Sequence, residues 1–256
     1  MRRIITLMTD FGLRDHYAGV MKGVMLGINP DAVIVDITHE IKKYNIYEGA
    51  FKLRSYYSYF PQGTVHVTVV DPGVGGPRHP LAVEAGGYFF VGPDNGIFSL
   101  VIESSEKPVI VEITRSEFIL GNVSRTFHGR DIFAPAAAHL SNGLNILELG
   151  SPLSQPVSLD IPEIKIKGDE VTGVVLYSDS FGNLVTNIQA DMIKPGSVVY
   201  VGPHRIGSVK ATYGEVERGK LLAIIGSSGL LEISVNRGSA RKVFDKERIF
   251  VRIAKE

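Results

Sequence analysis

Residues 4–8, Ile-Ile-Thr-Leu-Met, run apolar without the polar alternation of a half-exposed strand, and Thr64 to Val70, after the turn Pro61-Gln62-Gly63, reads as another buried strand. Strands of this kind are covered on both faces, so the chain must supply helices to lie on them. Between them, Val20, Val24 and Ile28 recur at four-residue spacing within His16 to Ile28, and Asn29-Pro30 ends that helical stripe. Ala32 to Ile37 reads as another strand. Glu48 to Tyr59 reads as a second helix that buries Phe51, Tyr56 and Tyr59. Val109 to Ile113 is a later strand, and Asp131 to His139 a helix that tolerates Pro135 in its first turn. Strands and helices alternating at these lengths predict a parallel sheet wrapped by helices.

After Pro152 the pattern changes. Pro152, Pro156 and Pro162 punctuate a stretch with little periodicity, which marks residues 156–164 as a linker. Short β-rich runs follow at Val171 to Tyr177, Ser197 to Val201, Leu221 to Ile225, Leu230 to Val235 and Ile249 to Ile253, separated by Gly, Asn and Asp turns. The expected architecture is a Rossmann-like α/β domain over residues 1–155 followed by a small all-β barrel domain over residues 165–256. No repeat or low-complexity segment interrupts either half.

Lys plus Arg number 27 and Asp plus Glu number 27, so no global field draws nucleic acid or an anionic membrane. The absence of cysteine excludes disulfides, thiolate nucleophiles and sulfur-held metals, and it suits a reducing compartment. Arg2 and Arg3 precede an apolar run as in a secretion signal, but Asp10 and Arg14 break that run too early. No apolar stretch approaches the ~20 residues needed to cross a bilayer. A cytoplasmic location is the expectation.

Ligands of open parallel sheets sit beyond the C-terminal strand ends. Two carboxylates stand there, each followed by glycine within two residues: Asp10 in Asp10-Phe11-Gly12 and Asp71 in Asp71-Pro72-Gly73. The plainer reading of each is a cap on the next turn or helix. The segment from Asp71 to Pro80 is glycine- and proline-rich but matches neither the Walker phosphate loop nor the dinucleotide fingerprint. Arg78 can return to Asp71 as an ion pair or stay solvated. His128, in Arg125-Thr126-Phe127-His128-Gly129-Arg130-Asp131, can exchange a proton near neutrality or be a structural histidine, and Asp131 can cap the next helix. None of the seven histidines shows a metal-binding spacing, so no metal is expected. In the β-rich half, Ser178 to Asn183 reads as a well-made turn or as an amide that pairs with a heterocycle edge while Phe181 stacks on it. Gly226-Ser227-Ser228-Gly229 reads as a hairpin or as a carboxylate-binding turn.

Six segments, taken in order, resemble one family along nearly the whole chain. They are Thr9-Asp10-Phe11-Gly12, Asp71-Pro72-Gly73-Val74-Gly75, Gly92-Pro93-Asp94-Asn95-Gly96, Thr126 to Asp131, Phe181 to Asn187, and Leu231 to Asn236. The family is that of the S-adenosylmethionine hydroxide adenosyltransferases, relatives of the bacterial fluorinase and chlorinase. The resemblance implies an α/β domain followed by a β-barrel domain. It also implies a homotrimer with active sites between subunits, and displacement at the ribose C5′ of S-adenosyl-L-methionine by water, giving adenosine and methionine without a cofactor. By position, Asp10 would bind the ribose hydroxyls. Asp15 and Ser227 would lie near the methionine portion, with Glu232 a further candidate for its ammonium. Asp179 and Asn183 would bind the amino acid or adenosine end, beside Phe181. The backbone around Asn236 and Arg237 would meet adenine. The hydrolytic triad falls on Asp71, Arg78 and His128.

The halogenating branch differs: it carries Tyr where Asp71 and His128 stand, Thr where Val74 stands and Ser where Gly129 stands, with an insertion absent here between Val83 and Val91. A halide beside Asp71 would be repelled, whereas water would not. The sulfonium leaves as a neutral thioether, so neither an acid nor a metal is needed. What the reaction lacks is a nucleophile held in line, and positioning contributes of order 7–11 kcal/mol in the best models. Asp71 can accept from the water while His128 orients it or takes its proton. The sequence leaves the base open. A halogenase, a non-catalytic sensor of the same ligand and a metal-dependent hydrolase are the competing readings.

Overall fold

The computed structural model describes residues 4–244 and 249–255; Arg2 and Arg3 lie outside the described residues. The chain divides into two compact units, Met1–Asp160 and Ile161–Glu256. Among the described residues, no helix is long and apolar enough to cross a membrane.

In the first unit the apolar runs form strands as their composition predicts, in the order β1 (Ile4–Thr9), α1 (Tyr17–Ile28), β2 (Val33–Thr38), α2 (Ile46–Tyr56) and β3 (Val65–Val69). Then come β4 (Pro80–Ala85), β5 (Tyr88–Pro93), α3 (Ser99–Glu103), β6 (Val109–Ile113), α4 (Ala134–Ser141) and β7 (Gly150–Pro152). The sheet order is β2-β1-β3-β5-β4-β6-β7. The first four strands in that order are parallel, but β4 runs antiparallel to both β5 and β6, and β7 antiparallel to β6. The sheet is therefore mixed, which corrects the expectation of a parallel one. The cause is local. Gly86 and Gly87 take φ of 58° and 84°, the two-residue turn that joins β4 to β5 as a hairpin instead of a crossover.

The helices differ from their expected bounds where the backbone departs from α geometry. The second helix stops at Tyr56, and a 3₁₀ turn over Tyr57–Tyr59 carries Tyr59 out to 83% exposure; Phe51 and Tyr56 are half-buried, and the buried residues of the helix are Glu48, Gly49, Ala50 and Leu53. The helix expected from Asp131 starts instead as a π turn, Gly129–Phe133, in which the Ala134 N–H reaches the Gly129 carbonyl. Pro135 then falls at the first positions of α4, where its missing N–H costs nothing. Asp131 does not cap this helix; it is fully buried, and one carboxylate oxygen accepts from the Ser124 backbone at 2.8 Å. The alanine-rich α4 lies close on β1 and β3 and packs against α1, with Met21, Met25 and Phe133 filling the space.

Among its described residues the second unit is mostly β, with one short helix and two 3₁₀ turns, Ala190–Met192 and Tyr213–Glu215. Its elements are β8 (Lys165–Lys167), β9 (Glu170–Ser178), β10 (Leu184–Gln189), β11 (Ser197–Val201), β12 (His204–Gly207), β13 (Val209–Lys210), β14 (Leu221–Ile225), β15 (Leu230–Val235), α5 (Ala240–Val243) and β16 (Phe250–Lys255). They join as β12-β11-β16-β9-β10-β15-β14-β13, with β8 added beside β9. At the ends of this order β12 lies against β14 and β11 against β13, which curls the sheet into a nearly closed barrel. Leu184, Ile188, Leu231, Ile233, Val251 and Ile253 fill it.

Candidate active site

β1 and β3 are parallel neighbours, so Asp10 and Asp71, just beyond their C-terminal ends, emerge on the same edge of the sheet. Asp71 begins the loop that returns as β4, and Arg78 lies near the loop's end. The Arg78 guanidinium grips the Asp71 carboxylate through Nε, at 3.0 and 3.1 Å to its two oxygens, and through a second contact from one terminal nitrogen. That same nitrogen lies 2.8 Å from His128 Nδ1. Phe133 closes the far side, its ring 5.3 Å from the guanidinium carbon. The Asp71 and Arg78 side chains are 3% and 9% exposed, so the pair is shielded from water and salt. Burial, then the charge of Arg78, pushes the His128 pKa down, against a smaller pull upward from Asp71 and Asp131.

A guanidinium has no acceptor, so it must donate to His128 Nδ1. The neutral ring then carries its hydrogen on Nε2. The loop is held against the His128 segment by close backbone packing: Gly75 has φ of 75°, and a Cβ there would stand 2.1 Å from the Arg125 carbonyl oxygen. Asp71 and His128, with Phe11, Tyr17, Val74 and Phe127, line a cavity of about 430 Å³, a size that suits a small ligand. Its aromatic wall is a cluster in which Phe127 meets Phe11 and Tyr17 edge-on, at 6.0 and 5.1 Å between centroids.

Asp10 is buried, and its Oδ2 accepts from the Tyr44 N–H at 2.9 Å. Tyr44 adopts φ of 65°, a left-handed backbone of the kind kept at functional sites, and the Lys43 ammonium donates to the Asp10 carbonyl. Asp15 is exposed in the loop before α1. Sequence reasoning missed Lys43, Tyr44 and Tyr17; the Lys42-Lys43-Tyr44 stretch shows no turn glycine or motif to mark it.

In the second unit, the turn between β9 and β10 is built around Asp179. Its Oδ1 accepts from the Phe181 and Asn183 N–H groups at 3.0 and 2.8 Å, and its Oδ2 from the Asn183 amide at 2.8 Å. Asn183 is buried, while Phe181 stands 78% exposed. A neighbouring turn locks onto this one. A Cβ on Gly182 would lie 2.0 Å from Ser239 Oγ, and the Arg241 N–H donates to the Gly182 carbonyl at 2.9 Å. That second turn carries Asn236, whose amide donates to the Val216 carbonyl at 2.7 Å, and exposed Arg237 at φ of 54°. Ser227 is exposed in the hairpin between β14 and β15. Glu232 is half-buried, and burial, then the charge of Asp179, pushes its pKa up. Within their own units the residues thus fall into three groups: Asp71 with Arg78 and His128, Asp10 with Tyr44, and Asp179 with Asn183 and Glu232. Among the described residues no group of three or more histidine or acidic side chains could hold a metal ion.

Two family models match the chain, the SAM hydroxide adenosyltransferase N-terminal domain over residues 5–150 and the corresponding C-terminal domain over residues 173–248. A protein of Thermus thermophilus named (R)-S-adenosyl-L-methionine hydrolase is 38% identical, over 98% of this chain and 99% of that one. A protein of Actinopolyspora mzabensis named fluorinase is 26% identical, over 99% of this chain and 98% of its own. The crystal structure of an uncharacterized conserved protein from Thermotoga maritima superposes with a TM-score of 0.89 at 38% identity, over the whole of both chains.

Proposed function

Because the chain belongs to the SAM hydroxide adenosyltransferase family, we infer that it hydrolyses S-adenosyl-L-methionine to adenosine and methionine. The observation that carries the mechanism is the bidentate Asp71–Arg78 pair joined to His128 at the wall of the cavity. The leaving thioether is neutral, so the protein need only hold a water in line behind C5′ and accept its proton. His128, with its hydrogen on Nε2, donates to that water and orients it. Asp71 accepts the proton as the oxygen bonds to carbon and the carbon–sulfur bond breaks, and Arg78 balances the carboxylate throughout. The Nε2–H assignment leaves His128 unable to be the base unless it surrenders its bond to Arg78.

The same buried carboxylate disfavours halide at this position, which supports hydrolysis over halogenation. Asp10 is read as the ribose partner and Asp15, Ser227 and Glu232 as the methionine side. Asp179 and Asn183, beside Phe181, are read as binding the amino acid or adenosine end, and the backbone around Asn236 and Arg237 as meeting adenine. Burial first, and then the charge of Asp179, raises the Glu232 pKa, and an ammonium bound beside the two carboxylates would offset both effects. The proposed assembly is a homotrimer with shared sites; exposed Leu13, Tyr44 and Phe181 give neighbouring copies apolar surface to cover. Neither a metal nor an organic cofactor enters this scheme, and the cytoplasm is its proposed location.

The relatives' name specifies the (R) form, and we take the (R)-sulfonium epimer as the preferred substrate. Purified protein incubated with each sulfonium epimer in oxygen-18 water tests all of this by chromatography and mass spectrometry. Label should enter the 5′-hydroxyl of adenosine, faster from the (R) epimer, with no effect of chelator. Unlabelled adenosine would refute direct displacement by water, and activity lost to chelator and restored by zinc would refute the metal-free scheme.

A further inference from the structure

Gly92-Pro93-Asp94-Asn95-Gly96 spans the end of β5 and the turn after it, and takes no part in the chemistry above. Yet its residues hold both ends of the loop that carries Asp71 and Arg78. The Asn95 amide nitrogen donates to the carbonyl of Val70, one residue before Asp71, at 2.8 Å. The Asp94 N–H donates to the carbonyl of His79, one residue after Arg78, at 2.9 Å. The Asn95 amide is unambiguously oriented, because its oxygen accepts from the Ile97 N–H at 3.2 Å. Asp94 is pinned in turn by the Val157 N–H at 2.8 Å, and its carboxylate lies within electrostatic reach of Arg78. Close approach is possible because residue 92 is glycine; a Cβ there would stand 2.2 Å from the Thr68 carbonyl oxygen.

Inside the loop the backbone bonds are short turns, Val74 N–H to the Asp71 carbonyl at 3.3 Å and Gly76 N–H to the Gly73 carbonyl at 3.0 Å. Such turns shape the loop but do not fix where it stands on the sheet. Its place is set by the packing of Gly75 on Arg125 and by the two clasps at its ends.

We propose that Asn95 is a positioning residue for hydrolysis: it anchors Val70 so that Asp71 and Arg78 meet His128 in register, and it touches no reacting atom. This rests on the reading of Asp71, Arg78 and His128 as the group that handles water. Asn95→Asp keeps the shape and the acceptor for Ile97 but sets an oxygen against the Val70 carbonyl. A misplacement of ~1 Å at a reacting group costs up to ~100-fold, so kcat should fall roughly 10- to 100-fold. KM for S-adenosyl-L-methionine and affinity for adenosine should stay within about twofold, since those contacts are untouched. In an Asp71→Asn background the same change should cost little more, because residues acting through one another are not additive.

Unchanged kcat, a full multiplicative loss on top of Asp71→Asn, or a rise in KM matching the fall in kcat would each overturn the proposal. Should Asn95→Asp melt below the assay temperature, Asn95→Ala, which removes the donor without setting a charge against the Val70 carbonyl, carries the same comparison. Asp71→Asn alone separates the two layers. Near-normal turnover there refutes the water-handling group itself, whereas an inactive Asp71→Asn beside a fully active Asn95→Asp refutes only the role of Asn95.

Discussion

His66 makes folding stability depend on pH in a way that can be worked out in advance. It is the second residue of β3, with no exposed surface, and Tyr56, Tyr57, Phe60, Tyr88 and Phe90 surround its ring at 5.3–6.2 Å between centroids. Its Nδ1 meets the Thr6 hydroxyl at 2.8 Å. Burial pushes its pKa from 6.5 down to about 3. Between those values the unfolded chain binds a proton that the folded protein refuses, so stability is fully present above about pH 6.5 and falls as pH drops. At pH 5 the unfolded state has gained log(1 + 10^1.5), about 1.5 units, which at 1.36 kcal/mol per unit is about 2 kcal/mol. His66→Phe fills the same aromatic cage and does not titrate. It gives up the Thr6 hydrogen bond, which costs about 1 kcal/mol at any pH. Urea unfolding at about pH 7.5 and pH 5 should show the natural protein losing about 2 kcal/mol more than the variant on acidification. His128 and His139 also have pKa values lowered by burial, but they are present in both proteins and cancel in the difference. Equal losses in the two proteins would refute the buried, neutral His66.

Asp71→Asn should lower kcat by on the order of 10²–10⁴ while calorimetry finds substrate affinity nearly unchanged. Because His128 must be neutral to accept from Arg78 and its pKa is lowered, initial rates should hold below pH 6.5 and fall only as pH drops through that lowered value; an acid limb above 6.5 would contradict the assigned tautomer. His128→Phe should remove that limb together with most of the rate. Asp10→Ala should weaken adenosine binding by roughly 1–3 kcal/mol, the cost of unpaired buried hydroxyls, and leave the residual pH profile unaltered. Sedimentation should give three times the chain mass, and a monomer would rule out shared sites.

The parts of this molecule that could be read from the sequence are those fixed by local chemistry. A two-sided apolar run becomes a buried strand, and β6, β11, β14 and β15 fall on the expected residues. Asp71 and Arg78 could be named because a carboxylate at a strand end and a cation seven residues on share one short loop. The mixed sheet was missed although Gly86-Gly87 is a hairpin signal, because no strand was read between Val70 and Val109 and the turn had no partners to join. Tyr44 was beyond reach for another reason. Its left-handed backbone is imposed by the contacts around Asp10 and leaves no mark on residue type. At Asp179 the plainer reading is what the structure shows: its side chain makes the turn, with Asn183 buried and Phe181 exposed beside it.

The interlocked turns at Gly182 and Ser239 tie together stretches of chain more than fifty residues apart. With a glycine on one side and a small hydroxyl on the other, neither can gain bulk without displacing its neighbour. Phe181 and Asn183 therefore share one rigid ledge with Asn236 and Arg237, and an alteration that shifts either turn is felt by both. Whatever rests on that ledge is gripped by a single body, so attempts to retune its preference one loop at a time should fail where paired changes across the two loops succeed.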